Sequence, residues 1–138
     1  MIVLLLVLAA AMVPAQTAAP TVKAPDTPAG RALTEFVESF NAGGETRRSW
    51  VETRTTVEEE PRANILKMDA EVLQEHGPIT VARIVNSSDA SVVAIVRHAK
   101  SGAHGHLTIN VEPSTPHKVV NLGMRAATPE EIKGGAAQ

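Results

Sequence analysis

The strongest constraint on this chain is a set of four short apolar segments, separated by turn residues, across residues 78–124. The segments cover 79–85, 91–97, 106–112 and 118–124, and all are rich in β-branched residues that suit a pleated, half-buried surface. Between them stand Asn86-Ser87-Ser88-Asp89, Lys100-Ser101-Gly102-Ala103 and Pro113-Ser114-Thr115-Pro116, residues that tolerate turn dihedrals or fix one of them. Connections this short join antiparallel neighbours, so a four-stranded meander is predicted. In the third segment Leu107, Ile109 and Val111 alternate with His106, Thr108 and Asn110, the period of a strand with one face on a core. The fourth repeats this with Val120, Leu122 and Met124. The second, Val92-Val93-Ala94-Ile95-Val96, is apolar on both faces and needs cover on both. Either the sheet curls around itself or a partner sits on its outer face.

Helical patterns precede the strands. Thr27 is placed to cap a first helix, with Pro28 at its opening position. Leu33, Phe36, Val37 and Phe40 form one apolar stripe, and Asn41-Ala42-Gly43-Gly44 ends the helix. A short second helix is expected over 45–53 with Trp50 and Val51 inward. A third is expected over 62–75 with Ile65, Met68 and Val72 on one side, Leu66 and Leu73 flanking them, and His76-Gly77-Pro78 as the stop. Thr128-Pro129-Glu130-Glu131 is a capping signature for one more turn before a glycine-rich end. The predicted fold is therefore α+β, with helices packed on one face of a curled four-stranded antiparallel sheet, a nuclear-transport-factor-like or cystatin-like cone. That likeness is topological and carries no function.

The chain has 138 residues, which suits one domain, here residues 27–129 with a frayed tail over 130–138. Residues 2–13 are an unbroken apolar run, shorter than the ~20 residues that span a bilayer. With Val13 and Ala15 at the cleavage positions, residues 1–15 resemble a secretory signal, and the Thr/Ala/Pro-rich 16–26 read as a flexible linker. The expected location is secreted or periplasmic, with membrane contact only through an uncleaved N-terminal segment. There is no cysteine, hence no disulfide frame and no thiolate metal site. A net charge of −2 argues against nucleic acid, which requires a basic stripe to neutralise phosphates. Phe36, Phe40 and Trp50 are the only aromatics, so stacking platforms for bases are nearly absent.

Three pieces of the chain carry a resemblance. They are Thr27-Pro28-Ala29-Gly30-Arg31-Ala32-Leu33 leading to Phe40-Asn41-Ala42-Gly43; Gly77-Pro78-Ile79; and Leu107-Thr108-Ile109-Asn110-Val111-Glu112-Pro113 followed by Pro116-His117-Lys118-Val119. Together they resemble the N-terminal accessory domain of secreted bacterial serine hydrolases, of the β-lactamase, penicillin-binding and tail-specific peptidase types. The resemblance spans residues 25–129 and rests mainly on fold-determining positions. It implies a domain without catalytic residues, so none transfers to this chain. No Ser-x-x-Lys, Gly-x-Ser-x-Gly or His-Glu-x-x-His motif occurs. The expectation is an exported accessory or interaction module, stand-alone or the remnant of a truncated hydrolase, without cofactor. It would bind a protein partner, an apolar ligand or a second copy of itself, through the sheet face or the cavity.

Two residue groups compete with that bland reading. His98, His104, His106 and His117, with Glu112 or water completing the set, are a candidate zinc, copper or nickel site if the hairpin over 97–105 brings them together. Hairpin tips are solvent exposed and tolerate histidine, which accounts for these residues without a metal, and no metal ligand is assigned. Asp69 and His76 with Arg83 are candidates for acid-base work in the cone, as in an isomerase- or hydrolase-like enzyme, the alternative function. A closed, polar-lined pocket holding Asp69 or His76 would favour the enzyme, and a filled apolar interior the binding module. The run Glu58-Glu59-Glu60 reads as a helix opening favoured by the dipole, and Gly43-Gly44 and Gly134-Gly135 as terminators.

Overall fold

Thr27 opens the first helix by accepting a hydrogen bond from the Gly30 N–H at 3.0 Å, with Pro28 where a missing donor costs nothing. Helix α1 runs Pro28–Ala42 and closes on Gly43, whose φ of +64° belongs to the left-handed region that glycine enters freely. Helices α2 (Gly44–Arg54) and α3 (Glu59–His76) follow, then strands β1 (Ile79–Ser87), β2 (Ser91–His98), β3 (His104–Val111) and β4 (Val119–Ala126), and a last turn α4 (Pro129–Ile132). The structure, a computed structural model, describes residues 22–134. The signal-like segment and residues 135–138 lie outside the described residues.

The four strands pair antiparallel in the order β1-β2-β3-β4, the meander expected from the short turns. The architecture is α+β: a curled open sheet of four strands with helices packed on it, α1 against the core face, consistent with a cone. The core lies where the α1 stripe of Leu33, Phe36 and Phe40 meets Ile79, Val92, Val96, Leu107 and Ile109, all at most 2 % exposed. Burying each of these side chains stabilises the fold by roughly 1.5–3 kcal/mol. Phe36 stacks on Phe40 at 6.0 Å and meets Trp50 edge-on at 5.7 Å, so all three aromatics of the chain share one cluster.

Asn41 joins helix to sheet. Its amide nitrogen donates to the Ile79 carbonyl at 2.9 Å, and its carbonyl oxygen accepts from the Ile79 N–H at 2.7 Å. The side chain thus pairs with the first residue of β1 as a neighbouring strand would. Asn41→Ala leaves both Ile79 groups without a partner and is expected to destabilise by about 1–3 kcal/mol. Asn41→Asp retains only the accepting half and should fall between, a ranking that chemical denaturation reads directly.

Residues 22–26, the end of the linker by composition, lie against the body. The Val22 N–H donates to the Val81 carbonyl at 3.3 Å, and Val22 and Ala24 pack on the core. Gly30 permits this crossing, because a Cβ there would lie 1.9 Å from the Pro25 carbonyl oxygen.

Two expectations need correction. Val120, Leu122 and Met124 were to line the core, but the pairing shifts by one residue between Asn110 and Val111, so Val119 sits opposite Val111 and is buried while Val120 is extruded. Leu122, opposite Ile109, is half-buried and packs against the core as expected, whereas Met124 is 38 % exposed. The α3 stripe was to be covered by the sheet, yet α3 has no fully buried residue and Met68 is 63 % exposed. This helix packs on α1 and α2 and stands off from the strands.

On the outer face of β2 the chain itself covers Ile95. Ile95 is 1 % exposed and sits in the ladder between Arg83 and His106. Both reach Glu131 of α4: the Arg83 guanidinium donates to its backbone carbonyl, and His106 Nε2 lies 3.2 Å from its carboxylate. Arg125 donates to both Glu131 carboxylate oxygens, at 2.8 and 3.0 Å, and the Thr128 N–H donates to Oε1 at 3.0 Å. These bonds, Arg125's first, hold the Glu131 carboxyl well below the ordinary glutamate range, at about 2. A depressed folded value means that the stability this tie contributes is fully present above the unfolded value and is lost as pH falls through the folded one. The Thr128 amide resonance is therefore expected to stay constant down to about pH 4.5 and to titrate with a midpoint near 2. A midpoint at the ordinary glutamate value would show that α4 is not held this way.

Candidate functional site

The standing-off of α3 leaves a hollow of about 420 Å³ between it and the β3–β4 side of the sheet. Ile65, Met68 and Val72 line it from the helix, and Leu107, Leu122 and Met124 from the strands. Its floor holds Phe36 and the only two charged side chains in the lining, Arg47 and Asp69. Met68, Val120 and Met124, three of the four large apolar side chains that are exposed among the described residues, gather at this one place. A second hollow of about 430 Å³, lined by Phe40, Gly43, Leu66 and Leu73, shares Arg47 and Asp69 with the first. The ion pair thus belongs to the wall of both.

Arg47 is placed by helical spacing. It precedes Trp50 and Val51 by three and four residues, on the stripe of α2 that faces the core, and its side chain is 3 % exposed. The guanidinium carbon lies 4.5 Å from the Phe36 ring centre, 4.8 Å from Trp50 and 5.8 Å from Phe40, so the cation rests among all three aromatic rings. Nε donates to Asp69 Oδ2 at 2.7 Å and one terminal nitrogen donates to Ser39 Oγ at 3.0 Å. The other terminal nitrogen, Nη2, is buried and finds no hydrogen-bond partner among the described residues. Burial pushes the Arg47 pKa below its ordinary value, and the charge and hydrogen bond of Asp69 oppose the shift.

The residues proposed for acid-base work are not brought together. Asp69 lines the hollow in an ion pair. His76 ends α3, with Nδ1 2.9 Å from Ser101 Oγ and its ring 5.2 Å from that of His98. Arg83 is on the far side of the sheet with Glu131. The four histidines proposed as ligands are likewise dispersed. Strand alternation puts His98 on the helix side and His104 and His106 on the other. His106 is tied to Glu131, and His117 Nδ1 is 2.9 Å from the Glu112 carbonyl. Among the described residues no three His, Asp or Glu side chains are grouped to hold a metal ion. Burial, with the nearby His76 and His104, lowers the His98 pKa, so its neutral form is favoured.

Arg47 is the functional candidate that sequence reasoning passed over. Its signal was there: Arg47, Trp50, Val51 and Arg54 recur at i, i+3, i+4 and i+7, which places a cation on an apolar stripe. Among the described residues no helix is long and apolar enough to cross a membrane. No protein-family model, curated protein or solved structure matches this chain.

Proposed function

We propose that this protein is an exported, non-catalytic accessory or interaction domain that binds an apolar ligand in the hollow between α3 and the sheet. One observation carries this reading: the apolar stripe of α3 is turned toward an apolar space that the protein does not fill, and Met68 stays 63 % exposed beside it. Pockets that bury small ligands measure about 300–1,000 Å³ and are mostly apolar with few polar groups, which describes this hollow. The resemblance to the accessory domains of secreted serine hydrolases agrees with a binding role, as does the engagement of Asp69 by Arg47, away from His76.

The outer sheet face, the other surface proposed for a partner or a second copy, offers less. Ile95 is already covered there, and Val93 is half-buried. The hollow is therefore the favoured site. Titration with an environment-sensitive apolar fluorophore tests it. The folded domain should bind one equivalent with a blue shift, and Val72→Trp, which fills the space, should abolish binding while the melting temperature holds. Absence of binding, or binding indifferent to Val72→Trp, would defeat this assignment.

A further inference from the structure

We infer that the end of α3 is fastened to the β2–β3 turn by an acid-sensitive clasp, in which protonation of His98 beside His76 frees the helix terminus while the core stays folded. The inference goes beyond the binding reading and does not depend on it. Although α3 stands off from the strands, its last residues are held. The His76 carbonyl accepts from the Lys100 N–H at 2.9 Å and from the Ser101 N–H at 3.2 Å, Lys100 Nζ donates to the Gln74 carbonyl at 3.1 Å, and His76 Nδ1 lies 2.9 Å from Ser101 Oγ. Gly77 lets the two segments close on each other, since a Cβ there would come within 2.7 Å of the Lys100 Cβ.

His98 belongs to this junction, 6 % exposed and with its ring 5.2 Å from that of His76. Its Nδ1 is buried and has no hydrogen-bond partner among the described residues. The neutral ring can leave that nitrogen without a proton, but protonation makes both ring nitrogens donors, and the closed clasp then holds a buried N–H with no acceptor. A second positive charge comes from His76, which ends a helix where the dipole favours its protonated form. The other titratable groups at the junction are Glu75, 4.0 Å from His76 Nε2, Lys100 in the turn and His104 on β3. Strand β1 sets the uncharged Ile79 opposite His98, and α1 reaches that end of β1 through the uncharged Asn41. Burial opposes the charge on His98 first, the Gly77 backbone favours it, and His76 and His104 oppose it, so its pKa lies below the ordinary value. A lowered folded value means that the stability the neutral ring contributes is fully present above the unfolded value, about 6.5, and is lost as pH falls through the folded one. No side chain of α3 is fully buried, so its end can part from the turn without opening the core. Met68 and Val72 of the same helix line the hollow, and that wall loosens with it.

Amide hydrogen exchange of the full chain tests the clasp. Corrected for intrinsic rates, the protection of the Lys100 and Ser101 amides should fall by up to about tenfold per pH unit below about pH 6.5, as uptake of one proton requires. The Val111 amide, which donates to the Ala90 carbonyl at the other end of the sheet, should hold. His98→Phe keeps a ring and removes the titration, and should flatten the fall. His76→Asn keeps a hydrogen-bonding group for the Ser101 hydroxyl and removes the neighbouring charge, and should make the fall smaller. Protection that stays flat from about pH 8 to about pH 5, or that falls alike in His98→Phe, would overturn the clasp. A parallel loss at Val111 would show global unfolding and equally overturn it. Should His98→Phe fail to fold, the ring resonances of the unmodified protein decide: His98 should titrate below the ordinary histidine value, and titration at or above that value would overturn the inference.

Discussion

Arg47→Ala is expected to destabilise the domain by about 3 kcal/mol or more, because removing one member of a buried pair leaves the other uncompensated. For a domain of this size that is a fall in melting temperature of more than about 10 °C. Three losses coincide: Asp69 forfeits its 2.7 Å partner, the Ser39 hydroxyl loses a donor, and a cavity opens among Phe36, Phe40 and Trp50. Arg47→Lys should recover only part of this, since a single ammonium cannot rest flat among the rings and serve Asp69 and Ser39 at once. The double variant Arg47→Met/Asp69→Leu should be clearly more stable than Arg47→Ala, as an apolar pair of similar volume leaves no unmatched charge. A double variant no better than the single one would show that the stacking, and not the ion pair, carries the effect. Thermal melts of the four proteins settle the order.

Truncation should cost far more on α1 than on α3. Phe36 is 2 % exposed and central to the aromatic cluster, so Phe36→Ala is expected to cost about 3–5 kcal/mol in transfer and cavity terms. Met68 is 63 % exposed at the edge of an unfilled hollow, and Met68→Ala should change stability by less than about 0.5 kcal/mol. Such a contrast between two helices that both carry apolar stripes is the energetic signature of one helix packed on the sheet and another held away from it. Equal losses would mean that α3 closes onto the strands in solution and that the hollow does not persist. Bound ligand should raise the melting temperature by linkage, and that gain should be lost in Val72→Trp.

The residues that announced the fold did so through local chemistry. Thr27-Pro28 and Gly43 bound α1 because capping and left-handed backbone are properties of those residue types, wherever they stand. The β-branched runs and the turns between them became the meander because short connections leave antiparallel pairing as the simple choice. The capping box at Thr128 and Glu131 was readable for the same reason. The covering of β2 was readable only as a need. That Ile95 on its outer face would be covered by Arg83, His106 and Glu131 depends on α4 returning over the sheet, a long-range event with no local signal.

The site was less legible. Asp69 drew attention from its place beside the α3 stripe, but its partner is 22 residues away on another helix, and no spacing rule links the two. Asp69, His76 and Arg83 were grouped as candidates and are held apart by about two turns of α3 and by the thickness of the sheet. Histidines near one hairpin looked like a cluster, yet the two-residue period of a strand sends His98 and His106 to opposite faces.

What the chain's residues determined by themselves was the inventory: which segments are helices and strands and, to within about three residues, where each lies. Periodicity and capping act over a few residues, so a linear reading captures them. Only the tertiary structure decided that α3 would stand away from the strands and that a one-residue bulge would extrude Val120. It alone placed an arginine among the three aromatic rings with one donor unspent. The physical reason is that an amphipathic stripe specifies that a face should be covered without specifying by what, and the difference between a filled interior and a hollow lies in how separate elements meet.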